Sequence, residues 1–420
     1  MLFRSQVNFF YTFTPDAKEF WQKEMQIWIR DVNRYTSPTP AIKSTVDEAV
    51  SASDSPLDKA KKLYALVQKY ENFDFSRNSS TSIANDWVPP GSVEQVLQHK
   101  SGNSEEMALL YMAMARAAGL DVRPQRIASR DHRTFSAQLQ DTTQLDCVLI
   151  GVTIDGKEII VDPGTKMAPF QTLYWGHAGA GGVAMAANGK VEIIITPLQQ
   201  NSDNTVVQVG TLNVTPQGTV AGTVRIGFVG QQALQLRQMA LRSDANTFKQ
   251  QLERMIAAQV PDGVQAHIDR ITGIDDSSKQ LVAVVPVSGS LAVHTGSHMV
   301  LPRLFFESKA TNQFPSEESR TLPIDMHYPA QEQEQITYVL PSGFTLEAPP
   351  QDASMRWAEN AAYQVRSKVD GGSITTSRIL ARGFTLLEAS EYGKLRDFYQ
   401  QVVEADRQQI AISAAQTAGK

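Results

Sequence analysis

A capped, apolar helix followed by a strand hairpin restricts the fold of this chain most, and both lie within residues 100–162. Asn103 or Ser104 suits the N-cap of the helix, and Glu106 stands where a capping box places its acid relative to Asn103. Apolar residues then recur at helical spacing until Gly119 ends the pattern. The richness in Ala and Met predicts a central, well-buried helix.

Two apolar runs, at residues 145–154 and 157–161, flank the dipeptide Asp-Gly at 155–156. This dipeptide favours a two-residue type I′ hairpin, so the last residue of the first strand should pair with the first residue of the second. In that register Cys147 and Asp162 are diagonal neighbours on one face, roughly 7–8 Å apart at Cα.

Composition excludes several classes of protein. The 420 residues suggest roughly two to four domains, and 42% hydrophobic residues can form real cores. The net charge of −5 comes without a dense Lys/Arg cluster, so we expect no nucleic-acid partner. No run of about 18 apolar residues exists, so we expect no membrane span. Cys147 is the one cysteine, which excludes disulfides and cysteine metal sites and fits an oxidising compartment.

The beginning of the chain reads as the middle of a domain. Residues 7–13 form a strand pattern, while residues 1–5 are too short and too polar for a signal peptide. We therefore expect a fragment of a longer, exported protein whose export signal lies upstream. The expected domains are residues 1–36 (the end of an upstream β domain with its connecting helix), 37–198, 205–412, and a disordered tail at 413–420.

The chain beyond residue 204 predicts a β-rich domain. Short strands lie between turn signals, as in a β-sandwich-type antiparallel domain. A helical interval at residues 231–260 breaks near Ser243, and Ser390 begins a last helix. The Gly/Ala-rich residues 177–190 predict a loop. The expected strands are residues 211–214, 219–228, 281–287, 299–306, 336–340, 344–347, 363–369 and 373–382.

Residues 41–175 resemble the transglutaminase-like superfamily. The likeness lies in Gly102, in the helix ending Ala-Arg-Ala-Ala-Gly-Leu at residues 115–120, in the strand pair and in Asp162-Pro163. More broadly, the chain resembles bacterial exported proteins in which such a core is flanked by uncharacterised β-rich domains. The resemblance implies an α+β fold. A papain-like transglutaminase core, with helices packed on an antiparallel sheet, would precede an antiparallel β-sandwich-type domain with a C-terminal helix.

The chain departs from this superfamily at two catalytic positions. Active members place a cysteine at the start of the central helix, a histidine at the start of the next strand and an aspartate on the neighbouring strand. Here Ser104 takes the place of the cysteine and Cys147 that of the histidine, so only Asp162 matches. Serine needs a base to release its proton. Without that base, Ser104 is better explained as an N-cap or first-turn residue.

Cys147 and Asp162 also have structural interpretations. A cysteine in an apolar strand behaves as a small buried hydrophobe, and Asp146 and Asp162 beside it would raise the pKa of its thiol. Asp162 can accept hydrogen bonds at the end of its strand, or belong to a remnant catalytic site.

Loop residues supply the remaining candidates for a site. His132 and His177 could act as bases, since loops commonly carry functional groups, although histidines without a role are commoner. Trp87, Tyr174 and Trp175 could form the walls of a cleft, or serve only in packing. The histidines lack metal-ligand spacing, so neither a metal nor another cofactor is expected.

We therefore expect a non-catalytic, extracytoplasmic binding or assembly module. Its partner would be an extended peptide or polymer in the cleft, or another cell-envelope protein. The alternative is a cysteine/serine amidase or acyltransferase using Ser104 or Cys147 with a loop histidine. It requires an imidazole nitrogen within about 3–4 Å of either nucleophilic atom. A purely structural β-rich surface protein, with the cleft filled by side chains, is the third interpretation.

Overall fold

The chain divides into two compact units, Met1–Leu198 and Gln199–Lys420. The expected strand at residues 7–13, the indole of Trp87 and the last six residues lie outside the part of the chain that is described. The computed structural model describes residues 14, 16–77, 91–295, 298–314 and 320–414.

Helices in the first unit begin where the sequence provides caps. Thr39 and Ser55 each accept a hydrogen bond from the backbone N–H three residues later, and a proline follows each cap. The central helix begins at a complete capping box, as predicted. The described helices of this unit are α1 (Ala17–Tyr35), α2 (Pro40–Ala49), α3 (Pro56–Val67), α4 (Val93–His99) and α5 (Ser104–Ala117).

An antiparallel sheet packs against α5, whose residues 106–115 are all buried. Its strands run in the order β5-β4-β3-β6-β7. The hairpin between β4 and β5 pairs Ile154 with Lys157, and Asp155 and Gly156 both have positive φ, which confirms the predicted register and turn. The strands are β3 (Asp121–Ile127), β4 (Cys147–Ile154), β5 (Lys157–Val161), β6 (Gly181–Met185) and β7 (Val191–Ile195).

A short parallel pair fixes the start of α5. Strands β1 (Glu71–Asn72) and β2 (Ser101–Gly102) pair side by side, and a 3₁₀ turn, Phe73–Phe75, follows β1. Because β2 leads directly into α5, this pairing brings the turn against the first residues of the helix.

The predicted loop at residues 177–190 is wrong at residues 181–185, where β6 lies. Gly182 pairs with Ile127 of β3, and a Cβ on Gly182 would lie 2.2 Å from the carbonyl oxygen of Arg126. The glycine therefore permits close approach of two strands, whereas its composition had indicated a turn.

The second unit is built on a mostly antiparallel sheet with the strand order β10-β12-β9-β8-β16-β20-β19-β18, and β11 also pairs with β12. Strands β8 and β16 pair in parallel, which the antiparallel prediction did not include. The strands are β8 (Thr205–Val214), β9 (Thr219–Phe228), β10 (Val264–Ala266), β11 (Arg270–Thr272), β12 (Leu281–Ser290), β16 (Ala330–Val339), β18 (Ala353–Trp357), β19 (Ala361–Asp370) and β20 (Ser373–Arg382).

Three helices accompany this sheet in the described residues. The expected break near Ser243 separates α6 (Gln231–Arg242) from α7 (Ala245–Ala257), and the last helix is α8 (Tyr392–Asp406). A second sheet has the order β13-β14-β22-β17, and β15 pairs with β21. These strands are β13 (Val293–Thr295), β14 (His298–Pro302), β15 (Ile324–Asp325), β17 (Phe344–Leu346), β21 (Leu386–Leu387) and β22 (Gln409–Ala414).

Strand boundaries in this unit differ from the prediction at several points, and β8 begins at Thr205 and β16 at Ala330, each six residues earlier than expected. Ser413 and Ala414, expected in a disordered tail, end β22 and pair with β14 and β17. Strand β14 ends at Pro302, earlier than expected, because residues 303–308 turn away and Glu334 accepts the backbone N–H groups of Phe305 and Phe306.

The close approach at Gly182 gives a stability prediction. Gly182→Ala should lower the free energy of unfolding by about 1–3 kcal/mol, because the methyl group meets backbone atoms that cannot move independently. Gly91→Ala is the control, since its Cβ would meet only Gln95 Oε1, at 3.8 Å. Urea unfolding followed by tryptophan fluorescence reports on this unit, because four of the five tryptophans precede residue 199. Equal stability of the two variants would contradict the steric argument.

Candidate functional site

Ser104 lies at the first turn of α5, where side chains hold the helix end in place. Asn103 Oδ1 accepts the backbone N–H of Glu106 at 2.9 Å, and Glu106 Oε2 accepts that of Asn103 at 2.9 Å. The predicted capping box is therefore present. Ser104 is the next residue after the cap.

Asp74 binds both polar groups of Ser104. Its Oδ2 accepts the Ser104 hydroxyl at 2.6 Å and the Ser104 backbone N–H at 2.9 Å. Asn72 Nδ2 donates to Ser104 Oγ at 3.3 Å and to the carbonyl oxygen of Gly164 at 2.7 Å. Sequence reasoning missed Asn72 and Asp74, because only the pairing of β1 with β2 brings them to the helix.

Asp162 follows β5 and is 1% exposed. Its Oδ2 accepts from His177 Nδ1 at 2.7 Å and from Thr165 Oγ1 at 2.7 Å, while Oδ1 accepts the backbone N–H of Thr165 at 3.1 Å. The ring of Tyr174 meets the His177 ring edge to face, with centroids 5.2 Å apart. Asp162, which was expected to be a remnant of a catalytic site, therefore has a hydrogen-bond partner for each carboxylate oxygen.

The electrostatics of this group favour an ion pair. Burial opposes the charge of Asp162, but His177 and the hydrogen bonds outweigh it and lower the pKa of that carboxyl below its ordinary value. Burial likewise opposes the imidazolium, but the carboxylate of Asp162 and its hydrogen bond raise the pKa of His177 above its ordinary value. His177 therefore pairs with Asp162 as a cation.

Cys147 begins β4 and is half-buried. Its Sγ lies 3.8 Å from His177 Nδ1, the same nitrogen that contacts Asp162. Burial raises the pKa of the thiol and outweighs the lowering effect of His177, while Asp162 and Asp146 raise the pKa further. Cys147 is consequently a neutral thiol beside an ion pair.

The two candidate histidines occupy different surroundings. His132 Nδ1 contacts Asp146 Oδ2 at 2.8 Å, and its side chain is 64% exposed. His177, by contrast, joins Cys147 and Asp162 and is 13% exposed. Of these two histidines, only His177 lies within the distance expected of a base, and the nucleophilic atom that it approaches is Cys147 Sγ.

The candidate cleft aromatics have mixed exposure. Trp175 is buried, and Tyr174 is half-buried with its hydroxyl donating to Asp131 Oδ2 at 3.2 Å. The third, Trp87, lies outside the described residues. A cavity of about 370 Å³ borders the start of α5, and its lining includes Trp28, Tyr35, Asn103 and Glu105 but not Ser104.

The described ranges hold neither a helix that could span a membrane nor a cluster of metal-ligating side chains. Among these residues, no helix is long and apolar enough to cross the membrane. Within the same ranges, no group of three or more His, Cys, Asp or Glu residues is arranged to hold a metal ion.

Comparison with known families supports the fold. Residues 43–140 match the transglutaminase-like superfamily, a stretch that includes Ser104 but ends before Cys147. Residues 297–412 match DUF3858, a domain of unknown function with a solved structure. The chain therefore contains a transglutaminase-like core with a flanking β-rich region. Curated proteins yield no match.

One solved structure resembles nearly the whole chain. It is a putative protease from Parabacteroides distasonis, with a TM-score of 0.50 and 11% identity over 95% of this chain. At this identity the likeness concerns the fold alone. This chain spans 59% of the length of that structure.

The buried ion pair gives a pH-dependent prediction. His177→Gln should lower the free energy of unfolding by about 3 kcal/mol, because it leaves Asp162 without its cation. The loss should be largest between about pH 4 and 6.5. Below this range Asp162 protonates at its lowered pKa, and above it His177 loses its proton at its raised pKa, so the pair weakens on both sides.

His132→Gln is the matched control for this measurement. That histidine pairs with Asp146 at the surface, where an ion pair contributes less than about 1 kcal/mol. Urea unfolding of both variants across this pH range tests the ion pair. A pH-independent loss in His177→Gln would show that the ring acts only by packing.

Proposed function

We propose that this protein is a non-catalytic transglutaminase-like module that binds an extended peptide or polymer outside the cytoplasm. The transglutaminase-like match of residues 43–140 supports the scaffold. The single cysteine supports an oxidising compartment. The side chains around Ser104 and Cys147 support the absence of amide chemistry.

The position of the Asp74 carboxylate is the main support for this proposal. Acyl transfer requires N–H donors aimed at the oxygen on which negative charge develops, and the backbone N–H of the nucleophile commonly serves. In this chain the Ser104 N–H already donates to Asp74 Oδ2. A negative oxygen at that position would repel a developing oxyanion. The Ser104 hydroxyl donates to the same carboxylate, which is a far weaker base than a hydroxyl requires.

The geometry of His177 supports the same conclusion for Cys147. An imidazole nitrogen can hold one proton, and the 2.7 Å contact places the Nδ1 proton toward Asp162. Nδ1 therefore cannot accept the proton of Cys147 at the same time. The raised thiol pKa further suppresses thiolate.

An immobilised library of linear peptides tests binding and chemistry together. We expect the full chain to retain some peptides without cleaving them. Tyr174→Ala should weaken this retention about tenfold, because the half-buried ring stands beside His177 and truncated aromatic anchors are costly.

The control is Ile379→Ala, which changes an exposed residue of the second unit and should leave retention unchanged. Cleavage or amine incorporation that Ser104→Ala or Cys147→Ala abolishes would refute the proposal. A failure to retain any peptide would refute the binding role.

One observation favours a second function, that of a cysteine amidase or acyltransferase. Cys147, His177 and Asp162 lie in contact, and the 3.8 Å separation satisfies the distance expected for a loop base. In this alternative His177 is neutral with its proton on Nε2, so that Nδ1 turns from Asp162 and accepts the thiol proton. The thiolate attacks the amide carbonyl, and the imidazolium returns that proton to the amine as the C–N bond breaks, which leaves an acyl-enzyme.

Alkylation of Cys147 by iodoacetamide distinguishes the two functions. Because Cys147 is the one cysteine, the reaction rate at each pH reports its thiolate directly. We expect a midpoint above that of the same chain unfolded in urea, since burial raises the thiol pKa. The enzyme alternative instead requires a midpoint below that of the unfolded chain, and the shift should vanish in His177→Gln.

A further inference from the structure

A cavity of about 280 Å³ lies within the second unit, between α6, α7 and one face of the sheet. This volume is near the lower end for small-molecule sites. Four glutamines line it, Gln208, Gln232, Gln235 and Gln259, together with apolar side chains from both layers. The apolar side chains include Val206, Ile226 and Phe228 on the strands, and Leu236, Leu252 and Ile256 on the helices.

Two carboxylates, Glu307 and Glu332, also line the cavity. Both approach the buried guanidinium of Arg378, with Nη1 3.3 Å from Glu332 Oε2 and 3.9 Å from Glu307 Oε1.

Arg378 already has a closer partner. Asp406, which is 1% exposed, accepts from Arg378 Nη2 at 3.0 Å and from Arg378 Nε at 3.0 Å. Asp406 therefore balances the charge of the guanidinium. The ion pairs of this cluster then leave Glu307 and Glu332 as an excess of negative charge facing the cavity.

Partial burial makes the charge of Glu307 costly, whereas the side chain of Glu332 is 52% exposed. Burial raises the pKa of the Glu307 carboxyl above its ordinary value. Glu332 and Asp406 raise this pKa further, whereas Arg378 lowers it. A positive group placed between Glu307 and Glu332 would relieve the repulsion.

We propose that this cavity binds a small organic cation with an apolar body. The ammonium group pairs with Glu307 and Glu332, and the apolar body lies between the helices and the sheet. Met239 and Met255 also line the space, and flexible thioether side chains adapt to ligands of different shape. This site lies within residues 206–332 and is separate from the residues around Ser104.

Methionine-methyl NMR on the unsubstituted full chain tests the proposal, and variants serve only to assign the signals. We expect hexylammonium to shift the Met239 and Met255 methyl signals, which Met→Leu substitutions assign. Hexanol should bind at least about tenfold more weakly, since it lacks a charge-assisted hydrogen bond, and hexanoate should not bind. Equal binding of hexanol and hexylammonium would reduce the cavity to an apolar gap and overturn the proposal. So would an absence of shifts at both methionines.

Substitutions then locate the cation. Glu307→Gln and Glu332→Gln should each weaken hexylammonium binding about tenfold. Glu359→Gln is the matched control, because Glu359 lies in the same unit, is 93% exposed and pairs with Arg356 away from the cavity. Unchanged affinity in both cavity variants would overturn the assignment. Methyl signals of methionines outside the cavity confirm that each variant is folded.

Discussion

The first unit depends on how it satisfies the buried carboxylate of Asp162. A charge at 1% exposure is tolerated only with partners, and here a cation and two donors of Thr165 supply them. The same segment is fixed by its backbone, since Tyr64 donates its hydroxyl to the carbonyl oxygens of Asp162 and Ala168. The turn after β5 is therefore held from both sides. This places Gly164 so close to Ser104 that a Cβ there would lie 2.5 Å from the Ser104 carbonyl oxygen.

This arrangement shows why nearness alone does not make a catalytic group. Cys147, His177 and Asp162 are the residue types of a cysteine hydrolase, and they are in contact. In a working triad the imidazole uses one nitrogen toward the acid and the other toward the nucleophile. Here Nδ1 faces both Asp162 and Cys147. The contact that stabilises the fold therefore occupies the atom that the chemistry would need.

Local sequence signals predicted the structure where neighbouring residues decide it. The capping box of α5 and the Asp155-Gly156 hairpin both arise from interactions within a few residues, and both are present. The same local reasoning did not predict the contacts of the candidate site. Asp74 meets Ser104 across 30 positions, and His177 meets Asp162 across 15, so each contact depends on the folding of the intervening chain.

Composition explains why β6 and the beginning of β16 were not predicted as strands. Gly181–Met185 reads as a loop because small residues also favour turns, yet here they let β6 approach β3. Strand β16 begins with the polar run Ala-Gln-Glu-Gln-Glu-Gln, which shows no apolar alternation. Its partners on both sides, β8 and β20, provide the pairing that its own side chains do not indicate.

The two units balance buried charge in different ways. In the first, one carboxylate meets one cation, so Asp162 and His177 form a pair that needs nothing further. In the second, Asp406 neutralises Arg378, and Glu307 and Glu332 remain beside a cavity that apolar side chains and glutamines line. A cationic ligand would balance this excess of negative charge. Since the charge excess and the cavity occur together, the β-rich unit has an electrostatic reason for capturing a ligand.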